Sequence, residues 1–174
     1  MSVGVDDMTP RPVTASATTT HYQIFIKDVN PIHTVFGGKV MAEMDRIAGI
    51  VATKHSGKVC VTLGADNLRF ISPAYEGELL VLSASANRSW NTSLEIGVKI
   101  FAENMETGER RHVLSAYLTF VAKDKEGNKV PVRPVLPETD DEKRRYEEAD
   151  LRRKFRLELE AAKKKLKENK NLQP

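Results

Sequence analysis

The chain has 174 residues, 40% apolar and 29% charged, with 27 Lys/Arg against 24 Asp/Glu, enough for one domain with extensions and a buried core. From Glu138 onward it carries 12 Lys/Arg and 10 Asp/Glu, leaving 15 basic and 14 acidic residues in the body; a near-neutral body and a tail of mixed sign argue against nucleic acid as a partner. Cys60 is the only cysteine, so there is no intrachain disulfide, and no window approaches the roughly 20 apolar residues of a membrane helix.

Residues 1–19 read as a flexible N-terminal arm. With Asp6, Asp7, one arginine and no apolar stretch, they fit neither a secretory signal nor a transit peptide, which points to the cytoplasm. Thr20–Lys27 is rich in β-branched and aromatic residues and predicts the first strand, which Asn30-Pro31 breaks. After Gly37-Gly38, Val40, Met41, Met44, Ile47, Ala48, Val51, Ala52 and His55 recur every three or four residues. This spacing predicts a helix deep in the core, stopped by Gly57. Four strand-like runs follow, 59–71, 78–90, 93–104 and 109–122, and their short separators suit antiparallel neighbours. One helix cannot cover such a sheet unless the sheet curls round it, and the remaining edges are best met by pairing with another subunit.

Val130–Pro137 contains Pro131, Pro134 and Pro137 and predicts an extended connector. The tail, 138–174, restarts as a charged helix: Thr139 and Glu142 have capping-box spacing, and Asp140 and Asp141 suit a helix N-terminus. Leu151, Phe155, Leu159, Ala162 and Leu166 follow at spacings of four, four, three and four. They make a narrow apolar seam that wants a partner surface, either its own domain or another subunit.

Among residues that carry chemistry, Asp45 lies at the margin of the helical stripe, beside Met41, Ala48 and Gly49 on a helical wheel. Desolvation there would raise its pKa and make it a better base; the plain alternative is a solvated or ion-paired acid. Asn30 precedes the helix, where its amide can either form a turn or donate to a developing oxyanion beside the helix-start amides. Gly37 and Gly38 either let a ligand approach the backbone closely or serve only the geometry of the helix start. His33, His55 and His112 lack metal-ligand spacing, so no metal is expected. No Gly-x-Ser-x-Gly elbow is present, which argues against a serine hydrolase triad.

The run Asn30-Pro31-Ile32-His33-Thr34-Val35-Phe36-Gly37-Gly38, followed by Met41-Ala42-Glu43-Met44-Asp45 and Ala48-Gly49, resembles the signature of hotdog-fold acyl-CoA thioesterases. Thr92-Ser93-Leu94-Glu95-Ile96, Ala116–Ala122 and Val130-Pro131-Val132 extend the resemblance over about residues 20–137. It implies an α+β hotdog fold, an antiparallel sheet wrapped around one long helix, with residues 138–174 as a C-terminal helical extension. It also implies hydrolysis of fatty acyl-CoA to fatty acid and CoA in a homodimer or trimer of dimers, with no cofactor beyond the CoA of the substrate. Asn30 of one subunit and Asp45 of its partner would form one site, Asp45 activating water or attacking directly, with Asn30, Gly37 and Gly38 binding the thioester oxygen. Arg88, Asn91, Thr92 and Ser93 would contact CoA. Three positions depart from the family pattern: His33 stands where glycine is usual, Arg46 where an acid or amide is usual, and Asn91 where arginine is common. Hotdog dehydratases and non-catalytic acyl-CoA sensors share the fold and are the alternatives.

Overall fold

The computed structural model describes residues 8–170. In chain order the elements are β1 (Arg11–Pro12), β2 (Thr18–Gln23), α1 (Gly37–Ser56), β3 (Val59–Phe70), β4 (Leu79–Ser89), β5 (Ser93–Glu103), β6 (Arg110–Lys123), β7 (Val135–Leu136) and α2 (Asp140–Lys170). Five strands form one antiparallel sheet in the order β2-β4-β5-β6-β3. The expected helix and its four following strands are all present. Gly57 stops α1 in the left-handed conformation, φ 69°, where its N–H bonds to the Thr53 carbonyl.

The sheet curls around α1, whose Val40, Met44, Ile47, Ala48, Val51 and Ala52 are fully buried against Leu80, Leu82, Leu94, Ile96, Ile100, Leu114, Leu118 and Phe120. Met41, expected in this stripe, turns outward and is 44% exposed. The outer edge of β3 has no strand partner among the described residues, and Val59, Val61 and Leu63 along it are exposed.

Two expectations for the N-terminal region change. The first strand ends at Gln23, not Lys27, because Asp28 folds the chain back: its carboxylate accepts the Phe25 N–H at 3.0 Å and the Tyr22 hydroxyl at 2.8 Å. Met1–Asp7 lie outside the described residues, but residues 11–19 are not a loose arm. Val13 and Ser16 are buried, and β1 pairs in parallel with β7, Arg11 opposite Val135. The Pro-rich connector is therefore extended, as expected, and ends in this two-residue pairing.

Arg11 also donates to the carbonyls of Lys54 and His55 at the C-terminus of α1, where a cation suits the helix dipole. His55 is fully buried, with Nδ1 3.2 Å from the Ser16 hydroxyl. Burial first, and the Arg11 charge second, push its pKa down from 6.5 to about 4. The folded chain thus holds His55 neutral while the unfolded chain protonates it below about 6.5. Stability contributed by the neutral form is complete above pH 6.5 and is lost as pH falls towards about 4, by up to about 3 kcal/mol at about 1.4 kcal/mol per pH unit. Urea unfolding across that window, in parallel with His55→Gln, measures it: the wild type should lose more stability than the variant, and equal slopes would contradict this account.

On the opposite face of the sheet lies α2. Thr139 caps it as expected: Glu142 N–H donates to the Thr139 hydroxyl at 3.2 Å, and the Glu142 carboxylate accepts the Thr139 and Glu138 N–H groups. It docks through charged and aromatic groups, not through its apolar seam. Glu95, pointing outward from β5, is completely buried beneath the helix. Its carboxylate accepts Arg152 Nε at 3.0 Å and Nη2 at 2.6 Å, and Asn87 Nδ2 at 2.9 Å. The Arg152 guanidinium lies 3.6 Å from the Tyr117 ring centroid, and Arg156 pairs with Asp66. Gly97 leaves the space that Asn87 fills, since a Cβ there would stand 2.8 Å from Asn87 Nδ2. Leu151, Phe155, Leu159 and Leu166 remain exposed, so of the two surfaces expected for the seam, its own domain does not supply one.

Candidate active site

The loop before α1 is closed by backbone bonds from Asn30 N–H to Thr34 and from His33 N–H to Asn30. Asn30 organises it further, its Oδ1 accepting the Ile32 and Thr34 N–H groups at 3.0 and 3.2 Å while Nδ2 donates to the Thr34 hydroxyl at 2.8 Å. The turn role is thus real. A carboxamide nitrogen has two N–H groups, however, and among the described residues only one is bonded, which holds the second in a fixed direction. His33 adopts φ 59°. This explains why glycine suits the position, since a side chain in the left-handed region costs about 1–2 kcal/mol.

No side chain caps the N-terminus of α1. The amides of Gly37 and Gly38 therefore begin the helix at its positive end, where a developing anion is stabilised. A Cβ on Gly37 would stand 3.3 Å from Phe70 Cζ, and one on Gly38 2.5 Å from Phe36 Cε1, so a side chain at either position would have to push an exposed phenyl ring aside. Beside this end opens a cavity of about 430 Å³ with a largely apolar lining that includes Val35, Phe70, Ile71, Ala74 and Val113.

Asp45 lies on the exposed face of α1, eight residues beyond Gly37, a distance of about 12 Å at 1.5 Å per residue. Its Oδ1 accepts the Thr62 hydroxyl of β3 at 2.6 Å, beside the irregularity between Thr62 and Gly64. No hydrogen bond links Asp45 to Asn30 within the chain. Arg46 does not compete for Asp45; it pairs with Glu43 at 2.6 Å, and Lys39 holds the other Glu43 oxygen at 2.8 Å. Burial pushes the Glu43 carboxyl up, but the bonds from Lys39 and Arg46 outweigh it and hold it below the usual range. Phe36, Met41, Ile50, Val61 and Phe70 are all exposed.

The expected CoA segment divides. Arg88 is engaged within the chain: it lies over the Tyr146 ring at 4.0 Å and pairs with Asp150 at 2.6 Å, so its charge serves the docking of α2. Asn91, Thr92 and Ser93 form the turn between β4 and β5, held by backbone bonds from Trp90 to Ser93, Val132 to Asn91 and Ala122 to Thr92. Thr62 was missed by sequence reasoning, since a threonine in a strand is ordinary and only the fold brings it to Asp45. Among the described residues no group of three His, Cys, Asp or Glu side chains is placed to hold a metal, and no helix is long and apolar enough to cross a membrane.

An antiparallel sheet wrapped around one long helix is the architecture of a hotdog domain. The thioesterase superfamily profile matches residues 33–109. The uncharacterized acyl-CoA thioester hydrolase YkhA of Bacillus subtilis is 38% identical over 120 residues, 69% of this chain and 70% of its own. An apo-hexameric acyl-CoA thioesterase superposes with a TM-score of 0.85 at 37% identity, covering 88% of this chain and 98% of that one. The Staphylococcus aureus acyl-CoA hydrolase, solved with butyryl coenzyme A, coenzyme A and coenzyme A disulfide, gives 0.84 at 34%, covering 91% and 97%. That hydrolase has also been solved as alanine variants of an aspartate, an asparagine and a threonine. The chain belongs to the thioesterase superfamily, and it is an acyl-CoA thioester hydrolase.

Proposed function

We propose that the protein hydrolyses fatty acyl-CoA in the cytoplasm, at sites that two subunits build together in a dimer and, beyond it, a trimer of dimers. The observation that carries this reading is Asp45 itself: a carboxylate held by Thr62 on an exposed, apolar face that a second chain would cover. The altered asparagine, aspartate and threonine of the Staphylococcus enzyme are separated by 15 and 17 residues, the same intervals as Asn30, Asp45 and Thr62. That spacing supports assigning these three residues to one site.

In the proposed reaction, Asp45 of one subunit takes a proton from water as the water oxygen attacks the thioester carbonyl carbon. Thr62 fixes the carboxylate's orientation. The negative charge that forms on the carbonyl oxygen meets the free N–H of Asn30 and the Gly37 and Gly38 amides of the other subunit. The C–S bond then breaks, the CoA sulfur receives the proton, and the fatty acid leaves. The apolar cavity of about 430 Å³ receives the acyl chain, and the Asn91–Ser93 turn contacts CoA. Proton transfer and oxyanion binding suffice for this chemistry, so no cofactor is invoked.

Thiol release from a panel of acyl-CoA esters of graded chain length tests the reading. Turnover of fatty acyl-CoA is expected, and Asp45→Asn should abolish most of it. Saturable acyl-CoA binding without thiol release would instead favour a non-catalytic sensor.

A further inference from the structure

Helix α2 meets the body with Ala149, Arg152 and Arg156, and its last ion pair to the body joins Arg156 to Asp66. Beyond that pair it continues to Lys170, roughly 20 Å at 1.5 Å per residue. At about 100° per residue, Leu151, Phe155, Leu159 and Leu166 cluster on a face turned roughly a quarter of a circle from the docked one. They are 53%, 59%, 55% and 65% exposed. With Ala162 they follow an eleven-residue repeat, Leu151 to Ala162 and Phe155 to Leu166. That period drifts little around a straight helix, so the seam stays on one side of α2.

We propose that this seam packs antiparallel against the same seam of a second copy and joins dimers into the higher assembly. Charge selects the occupant and its direction. Glu158 and Lys165, one heptad apart, border the same flank of the seam. Antiparallel pairing sets like flanks face to face, so Glu158 of each copy meets Lys165 of the other, twice per pair. Parallel pairing would set Lys165 against the opposite flank of Arg152, Arg156 and Lys163. In the antiparallel pair that basic flank faces itself, but Arg152 and Arg156 are already bound to Glu95 and Asp66. Two single-helix faces bury less than the roughly 1,200 Å² of a stable specific interface. The seam therefore acts between chains that other surfaces have already brought together. The inference rests on the dimeric site proposed above only for what remains once the seam is broken.

Sedimentation velocity of the full chain, carrying Leu159→Glu with Leu166→Glu, is the first test. The wild type should sediment as an assembly larger than a dimer and the variant as a dimer, with thiol release per chain unchanged. A wild type no larger than a dimer, a variant of unchanged mass, or a variant reduced to monomers would each overturn the proposal. Because the readout is mass, a lack of thioesterase activity would count against the preceding reading and leave the seam untouched. Direction is tested by oxidative cross-linking in a Cys60→Ala background. Glu158→Cys chains mixed with Lys165→Cys chains should form a disulfide-linked pair, whereas Glu158→Cys chains alone should not. The reverse pattern would rule out the antiparallel arrangement.

Discussion

Co-refolding Asn30→Ala chains with Asp45→Asn chains should restore activity that neither homodimer possesses. Loss of a positioned general base lowers turnover by about 10²–10⁴-fold, and loss of an oxyanion donor costs about 2.7–4 kcal/mol, so each single variant should be nearly inactive. If Asn30 and Asp45 meet across the interface, a mixed dimer collects both lesions in one site and keeps both native residues in the other. Random pairing of equal amounts makes half the dimers mixed, each with one intact site of two, so recovery should approach about a quarter of wild type when the sites act independently. The geometry motivates this outcome: Asn30 lies before the first turn of α1 and Asp45 two turns along it, on an exposed face. Verified mixed dimers without activity would place both residues in one chain's site, or remove one of them from the mechanism.

The second large effect concerns stability. Replacing Arg152 by alanine should destabilise the fold by about 3–5 kcal/mol, because it leaves the completely buried Glu95 carboxylate without its cation. Replacing both members, Glu95→Gln with Arg152→Met, should recover much of that loss, since no charge stays buried and the amide oxygen still accepts from Asn87. Urea denaturation at fixed chain concentration reads both variants. A loss below about 1 kcal/mol for Arg152→Ala would mean that water solvates Glu95 once the arginine is gone.

These two expectations draw on parts of the molecule that were unequally legible in the sequence. Helix α1 and the strands after it declare themselves locally, through apolar periodicity and turn residues, and the capping box of α2 is a four-residue pattern. What depends on chains meeting far apart in sequence was hidden. Glu95 alternates like a solvent-facing strand residue, and only the return of α2 from 57 residues away covers it. The β1–β7 pairing joins Arg11 to Val135, with nothing in either dipeptide to announce it. Arg88 looked free for phosphate because Asp150 and Tyr146 come from the tail. At the site, Asp45 and Asn30 stand out by their places at the stripe margin and before the helix, and motif resemblance supplies the roles proposed for them. The Thr62 contact needed the register of β3 against α1, which no local pattern encodes.

The open edge of β3 bears on how the protein comes into being. Val59–Phe70 is a twelve-residue strand, paired on one side only, with Val59, Val61 and Leu63 exposed along it. Left unpaired in a newly made chain, such an edge is a template for indiscriminate strand addition and hence for aggregation.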